Sequence, residues 1–335
     1  MLRISRIPVA SLAALGFLLL LTACGGSSGT SGDSGRLSLY VTDAPVHSVK
    51  EVLVTFDAIE LKPASGAALR VELDPPVQED LLALQGENSA ALIEDFELAA
   101  GQYNWIRLFV VSDELDDADP GVGPSRVVEE DGGEFRLFVP GNQPPSRNPN
   151  QRFVQLSSPF VVPVNGEASF TIDVDLQQAL VKKNIPVAEP FYMLRPSLRI
   201  VDNSEIGTIH GDVSPILVCV DATGAVTGNA VYVYQGFDVT PGDVYLNEGG
   251  EVIPRDGIAH PITTASVKQD TEDGSYQYTV GFLAAGDYTV AFTCDAAMDN
   301  PESDDLDEVM FLQQHEVTVA AGDRIRQDFV EEPLE

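Results

Sequence analysis

The sequence predicts an all-β fold, with two antiparallel β-sandwich domains after a signal peptide and a flexible tether. Two observations support this fold class. Apolar and polar residues alternate with a period of two in many short runs, and no helical apolar pattern of any length accompanies them. Turns rich in glycine and aspartate separate the runs at the spacing of about 8–12 residues that is typical of sandwiches and barrels.

The first 23 residues have the pattern of an export signal. Arg3 and Arg6 are their only charged residues, and a largely apolar run over residues 7–21 follows. A membrane-spanning helix needs about 20 apolar residues. The basic start, the short apolar middle and the small residues at the end therefore predict a signal peptide over residues 1–23.

The residues around the predicted cleavage point, Leu21-Thr22-Ala23-Cys24, resemble the bacterial lipobox. The resemblance implies that the Cys24 sulfur receives a diacylglyceryl group, that cleavage precedes Cys24, and that the new amino terminus is acylated. Two or three acyl chains anchor a protein firmly, whereas one chain is marginal. Gly25 follows in place of a retaining aspartate, which favours the outer membrane. The alternative is an ordinary secretory signal with an unrelated cysteine.

Residues 24–35 combine this cysteine with a run of glycine and serine. Such a composition behaves as a flexible coil and offers no side chains for a core. The segment is therefore predicted to be a tether that holds the folded part of the chain away from the lipid surface.

The charge of the chain is strongly negative and unevenly distributed. The whole sequence contains 52 acidic and 19 basic residues. A surface of this charge repels phosphate backbones, so nucleic acid is excluded as a partner, and anionic lipid should not attract it without an acyl anchor. Residues 205–335 hold 25 acidic and 4 basic residues, against 26 and 13 in residues 36–204. This difference supports a domain boundary near residue 204.

Two cysteines remain if Cys24 carries lipid, namely Cys219 and Cys294. An even number of cysteines in an oxidising compartment favours a disulfide between them. The alternative is two buried free thiols.

The strands of the predicted first domain are visible as alternation. Leu37, Leu39 and Val41 share one face of the first run. In the next run the apolar phase shifts by one residue after Phe56, and a β-bulge near Ala58 would explain this shift. The segments DLLALQG and DLQQALVKK are the only short helix candidates in the sequence, and Asp175 is a suitable N-cap for the second.

Several segments in order resemble a bacterial family catalogued as domain of unknown function 4382. They are GRLSLYVTDAPVHSVKEVLVTFDAIELKP, DLLALQG, AAGQYNWIRLFV, FTIDVDLQQALVKK and FYMLRPSLRIVD, and together they cover roughly residues 35–202. Members of this family resemble the chain in having a lipobox and a tether before the domain. The family has no assigned activity, so the resemblance implies an architecture and a location but no catalytic residue.

The second predicted domain, 205–335, resembles transthyretin-like and carboxypeptidase-regulatory-like sandwiches. The resemblance rests on Gly274-Ser275-Tyr276 and on Gly286-Asp287-Tyr288. In each, the glycine would form the turn, and the tyrosine would bury its ring while its hydroxyl reaches water or the backbone. Domains of this kind are usually spacers or binding modules.

Three groups of residues are candidates for chemistry. Asp173 and Asp175 lie two apart on one strand and therefore share a face, where a carboxylate pair could act as acid and base, as in glycosidases. The alternative is the solvent face of an amphipathic strand. Two acidic loops, 113–121 and 295–308, could bind calcium through carboxylate oxygens. The calcium candidates in the second loop are Asp299, Asp304, Asp305 and Asp307.

The remaining side chains give weaker indications. The four histidines are too far apart in sequence for a helical zinc pair, and Trp105 is expected in a core and not in a sugar platform. No catalytic residue and no obligatory cofactor are predicted. The sequence thus predicts an outer-membrane lipoprotein that binds an envelope protein or polysaccharide without catalysis. The alternatives are a carbohydrate-active hydrolase using Asp173 and Asp175, and a structural spacer.

Overall fold

Alternating apolar residues form β-strands through most of the chain that the structure describes. The structure is a computed structural model, which describes residues 33–44, 49–112, 123–139, 152–184, 189–220, 226–306 and 308–331. Strand accounts for 59% and helix for 3% of these described residues, which confirms the predicted all-β class. Cys24, most of the tether and the acidic loop at 113–121 lie outside the described residues.

The strands belong to two consecutive parts of the chain. We call residues 33–204 the first half and residues 205–331 the second half. In chain order the described strands are β1 (Ser34–Ala44), β2 (Val49–Pro63), β3 (Leu69–Asp80), β4 (Ala90–Ala99), β5 (Gly101–Val110), β6 (Arg126–Glu129), β7 (Glu134–Phe138), β8 (Arg152–Leu156), β9 (Phe160–Val162), β10 (Glu167–Asp175), β11 (Leu180–Lys183), β12 (Phe191–Leu194), β13 (Leu198–Asp202), β14 (Ile206–Val213), β15 (Ala230–Gln235), β16 (Thr263–Ser266), β17 (Lys268–Gln269), β18 (Tyr276–Ala284), β19 (Gly286–Thr293), β20 (Phe311–Val319) and β21 (Arg324–Arg326).

Two sheets form the first half. Sheet I has the order β13-β10-β1-β4, and sheet II has the order β11-β12-β7-β6-β2-β5-β8, with β3 also paired to β2 and β9 to β5. Their apolar faces meet in one core, to which Leu37, Leu39 and Val41 contribute fully buried side chains. The predicted inward face of the first strand is therefore confirmed.

The phase shift in the second strand is a β-bulge. The register of β2 against both β3 and β5 is displaced between Phe56 and Ala58, as the sequence predicted. The extra residue lets the apolar face continue inward, so that Phe56, Ala58, Ile59 and Leu61 are all buried.

The two short helix candidates adopt one turn each. Leu81–Leu84 is a 3-10 helix, and α1 is a single α-helical turn over Leu176–Ala179. The Asp175 side chain caps α1 by accepting a hydrogen bond from the backbone N–H of Gln178, which confirms the predicted cap. Beyond this turn the chain continues as strand β11 because Leu180 and Val181 are buried in the fold.

Two further sheets form the second half. Sheet III has the order β17-β18-β14-β21, and sheet IV has the order β16-β15-β19-β20. A core of apolar side chains lies between them and includes Ile209, Val233, Val290 and Phe329. The ring of Tyr288 is buried there, and its hydroxyl donates a hydrogen bond of 2.6 Å to the Ala284 carbonyl oxygen, as expected for the second glycine–tyrosine motif.

The sheets are not purely antiparallel, which corrects the prediction. The pairs β1/β10, β7/β12 and β14/β21 are parallel, and all other strand pairs of the described residues are antiparallel. Parallel neighbours need a long crossover in sequence. Local alternation does not reveal such a pairing, so the parallel pairs were not predictable from the sequence.

The predicted disulfide is confirmed, since Cys219 and Cys294 are bonded 75 residues apart. Cys219 lies in a loop and not in a strand, because its segment forms a turn and a single bridge between Val220 and Val226. The bond ties this loop to the residue that follows β19.

The two halves contact each other closely, although no described strand of one half pairs with a described strand of the other. Glu87 accepts hydrogen bonds from Thr208 and Arg324 across the junction. The backbones also approach there: a Cβ atom on Gly281 would lie 2.3 Å from the Gly86 carbonyl oxygen. The described residues belong to one compact unit, and a domain boundary at residue 204 stays a prediction.

Within the described residues, no helix is long and apolar enough to cross a membrane.

Candidate functional site

Three carboxylates gather at one end of sheet I. The parallel register sets Thr42 beside Asp173 and Ala44 beside Asp175, so Asp43 lies next to both aspartates of β10. All three are buried, with Asp43 5%, Asp173 3% and Asp175 6% exposed. The parallel pairing thus brings together residues that are about 130 positions apart in the chain.

Each of these carboxylates has a partner that stabilises the fold. Arg199, opposite Asp173 on β13, donates a hydrogen bond of 2.7 Å from Nε to Asp173 Oδ2. Asp175 accepts from the backbone N–H of Gln178 at 3.1 Å and from its side chain at 2.6 Å. Asp43 accepts a bond of 3.3 Å from the Leu176 N–H, so it holds the start of α1.

The environment favours protonation of two of these groups. Burial, and after it the charge of Asp173, raises the pKa of Asp175 to about 7. Burial also raises the pKa of Asp43 well above its usual range, and the charges of Asp173 and Asp175 add to this effect. Neighbouring carboxylates in a dry site cannot all be ionised without a large electrostatic cost.

A polar cleft of about 270 Å³ lies beside this cluster, between the halves. Asp43, Asp173 and Arg199 line it from the first half, and Thr264 and Lys268 line it from the second. Four buried atoms of lining residues have no hydrogen-bond partner, namely Asp43 Oδ2, Gln85 Oε1, Asp173 Oδ1 and Thr264 Oγ1. The polar lining suits a ligand that carries several hydrogen-bonding groups.

The structure corrects the interpretation of the Asp173 and Asp175 pair. Neither faces solvent, because residues of the second half cover that face of sheet I. Asp175 does not line the cleft, and the second carboxylate there is Asp43. Trp105 lies on β5, outside the cleft, with the Arg107 guanidinium 4.1 Å above its ring.

A second group of carboxylates lies in the second half. Asp243, Asp299 and Asp305 are 0%, 8% and 7% exposed, and each offers an oxygen within 4.8 Å of those of the other two. Asp305 donates its backbone N–H to Asp243 Oδ2 at 2.9 Å, which joins the two loops. This is the one group of the described residues that has the spacing of metal ligands.

The four calcium candidates of the acidic loop separate in the structure. Asp299 and Asp305 belong to the buried group, whereas Asp304 is about half exposed and is paired with Arg255 at 2.7 Å. Asp307 lies outside the described residues. Asp243 was not predicted as a ligand from the sequence, because it lies 56 positions before Asp299 and is the last residue of an ordinary turn sequence, T-P-G-D.

The electrostatics of this acidic cluster depend on burial. Burial raises the pKa of Asp299 to about 7, and the charges of Asp243 and Asp305 act in the same direction. Two hydrogen bonds oppose the shift, from the Tyr232 hydroxyl at 2.6 Å and from the Val244 N–H at 3.2 Å. Asp299 Oδ1 has no partner.

The described histidines do not join either group. His260 Nε2 is 3.2 Å from the Gln178 side-chain oxygen, and burial lowers the pKa of this histidine to about 4. His210 lies on β14, where burial and the charges of Arg324 and Arg326 lower its pKa. His47 lies outside the described residues.

The raised pKa of Asp175 predicts a specific pH dependence of stability. In the unfolded chain an aspartate titrates near pH 4, so the folded protein binds an extra proton between about pH 4 and 7. The stability from this proton is fully present below about pH 4 and is lost as pH rises through about 7. The variant Asp175→Asn keeps an N-cap and removes the charge. It should match the wild type near pH 4 and exceed it near pH 8 by up to about 4 kcal/mol.

Urea unfolding at several pH values measures this difference, and Asp131→Asn, at an exposed carboxylate, is the control. Equal pH dependence of the wild type and of Asp175→Asn would contradict the assignment.

Comparison with solved structures finds all-β proteins of very low identity. A candidate cell adhesion protein from Bacteroides fragilis is 10% identical, with 90% of this chain and 95% of that chain covered and a TM-score of 0.21. GBS52, the minor pilin of Streptococcus agalactiae, is also 10% identical, with 89% and 98% covered and a TM-score of 0.17. Likenesses with these TM-scores support no conclusion about the function of this chain.

No curated protein matches the chain at a significant level. The family model for domain of unknown function 4382 (DUF4382) matches residues 34–196, close to the extent of the resemblance in the sequence. The match includes Asp43, Asp173, Asp175 and α1, and it ends before Arg199. The likeness of the second half to transthyretin-like sandwiches stays a prediction. Residues 34–196 of this chain thus match the family model of DUF4382, in agreement with the resemblance in the sequence.

Proposed function

We propose that the protein is a lipoprotein of the bacterial cell envelope, anchored in the outer membrane through Cys24, that binds an envelope polysaccharide or protein without catalysing a reaction. The observation that carries the binding function is the polar cleft between the halves. Its lining is mostly polar and comes from both halves. A ligand with hydroxyl or amide groups would form hydrogen bonds with the polar side chains of this lining.

A hydroxyl-rich polysaccharide is the first candidate for this ligand. The cleft is lined mostly by hydroxyl, amide and charged side chains, among them Gln85, Asn88, Ser266 and Gln277. Such groups fix the orientation of a polar ligand by hydrogen bonds. An envelope protein that presents polar side chains is the second candidate.

The positions of the carboxylates favour binding over catalysis. A general acid must lie within hydrogen-bond distance of the atom that it protonates. Asp43 and Asp173 are nearly inaccessible, and their unpartnered oxygens are buried. Asp173 is also neutralised by Arg199, and Asp43 holds the start of α1. These contacts indicate that the carboxylates of Asp43 and Asp173 stabilise the fold.

Two observations support the proposed location of the protein in the cell envelope. The lipobox-like segment that ends at Cys24 supports a lipid anchor. The Cys219–Cys294 disulfide supports an oxidising compartment, because such bonds persist outside the cytoplasm. The high negative charge gives no electrostatic attraction to an anionic bilayer, so the acyl chains would supply the attachment.

One observation favours a second candidate function, a carbohydrate-active hydrolase. The pKa of Asp43 is raised beside a cleft, as is common for a general acid. Incubation of any bound glycan with the full chain distinguishes the two functions. Release of reducing ends, lost in Asp43→Asn, would favour the hydrolase, whereas an intact glycan favours binding alone.

Binding in the cleft is tested with a glycan array, and with cross-linking to envelope extract. Lys268→Ala removes a charged side chain that lines the cleft, and Lys62→Ala is a control at a lysine outside it. We expect the full chain to bind a defined glycan or protein, with affinity at least tenfold lower in Lys268→Ala and unchanged in Lys62→Ala. Absence of any binding would leave a structural spacer as the function.

The lipid anchor is tested separately by the variant Cys24→Ser. Loss of the thiol removes the site of lipid transfer, so the variant should leave the membrane fraction and lose incorporation of labelled fatty acid. Membrane fractionation and mass spectrometry of the amino terminus measure both effects. An unlipidated wild-type chain that still sediments with membranes would contradict the anchor.

A further inference from the structure

We propose that Asp243, Asp299 and Asp305 bind one Ca²⁺ ion, which fastens the acidic loop of the second half against the first half. The site is separate from the cleft. Binding of the ion requires neither the proposed cleft ligand nor the lipid anchor.

The spacing of the three carboxylates fits a single ion. Ca²⁺ is surrounded by oxygens at about 2.3–2.6 Å, so any two of its ligand atoms are at most about 5 Å apart. Asp243, Asp299 and Asp305 each offer an oxygen within 4.8 Å of those of the other two. One ion could therefore contact all three carboxylates without a large movement of the backbone.

A second observation identifies a missing ligand. Asp299 is 92% buried, and its Oδ1 has no hydrogen-bond donor, although Oδ2 accepts bonds from Tyr232 and Val244. An unsatisfied buried acceptor is costly, and the cost is larger when the group is charged. Because a carboxylate oxygen only accepts, its partner must be a donor or a cation. No donor of the described residues reaches this oxygen.

The charge of the cluster is also uncompensated. Among the described residues, three buried carboxylates share one neighbouring cation, Arg255, which pairs with Asp243 and with the half-exposed Asp304. The other cations that contact this loop, Lys183 and Arg195, are paired with Glu302. Buried charges persist when they are paired or coordinate metal ions, and a divalent ion would supply the charge that Arg255 alone does not.

The donor set selects the type of ion. All three ligands are carboxylates, and the cluster has no histidine or cysteine, which would favour zinc. Mg²⁺ demands octahedral geometry and usually keeps several waters with one or two carboxylates, whereas Ca²⁺ accepts more oxygen ligands in flexible arrangements. Three convergent carboxylates therefore favour Ca²⁺.

The site lies in a loop that holds the halves together. Between Asp299 and Asp305 the loop presents Glu302, which binds Lys183 of the first half at 2.7 Å and Arg195 at 3.5 Å. The Tyr232 hydroxyl, which donates to Asp299, also accepts a bond of 3.1 Å from Gln177 of the first half. An ion at Asp299 and Asp305 would thus fix both ends of the segment that makes these contacts.

Thermal unfolding of the full chain, stripped with EGTA and titrated with CaCl₂ or MgCl₂, tests the proposal. At 100-fold excess over Kd, one bound Ca²⁺ should raise Tm by about 5 °C, and Mg²⁺ should have a much smaller effect. Asp299→Asn should lose the Ca²⁺-dependent shift. Asp304→Asn removes the same charge from the same loop outside the cluster, and it should keep the shift.

Tb³⁺ luminescence gives a measurement that does not need a variant to fold. Tyr232 contacts Asp299, so Tb³⁺ at the site should emit on tyrosine excitation, and Ca²⁺ should displace it. The proposal is overturned if the wild type shows neither a Ca²⁺-dependent Tm shift nor Tb³⁺ emission that Ca²⁺ displaces. It is equally overturned if folded Asp299→Asn keeps the full shift, or if Asp304→Asn loses it.

Discussion

The arrangement of the two halves depends on one buried guanidinium. Arg195 is 1% exposed and lies where the halves meet. It donates hydrogen bonds to the Gln178 carbonyl oxygen of the first half at 3.3 Å and to the Asn247 carbonyl oxygen of the second half at 3.2 Å, and it pairs with Glu302. Burial of an arginine is costly unless its charge is paired and its N–H groups find acceptors; here Nη1 and Nη2 find them, whereas Nε has no partner. These acceptors therefore require the halves to keep their relative position.

Both candidate sites are adjacent to this arginine. Gln178 belongs to the helical turn that Asp175 caps, and Asp43 holds the first residue of the same turn. Glu302 belongs to the loop that contains Asp299 and Asp305. A change in the position of Arg195 would thus disturb the carboxylates beside the cleft and the acidic cluster together. The cleft itself needs both halves, since its walls come from each of them.

Local features were predictable from the sequence, and long-range ones were not. Alternation of apolar residues predicted the inward face of β1, and the phase shift predicted the bulge near Ala58. The residue type of Asp175 predicted the helix cap. Each of these depends on neighbours in the chain. The parallel pairing of β1 with β10 brings Asp43 beside Asp173, and a loop contact brings Asp243 beside Asp305. Such contacts join distant residues, and a single sequence carries no local signal for them.

Hydrogen–deuterium exchange of the full chain with Arg195→Met tests the role of this arginine most directly. Methionine keeps much of the side-chain volume but offers no donors and no charge. We predict that Arg195→Met exchanges amide hydrogens faster in both 176–183 and 296–305. Arg326→Met, which removes an exposed arginine with two ion pairs, should show no such effect. Exchange in Arg195→Met that equals the wild type, or that changes in one segment only, would contradict a shared dependence on Arg195.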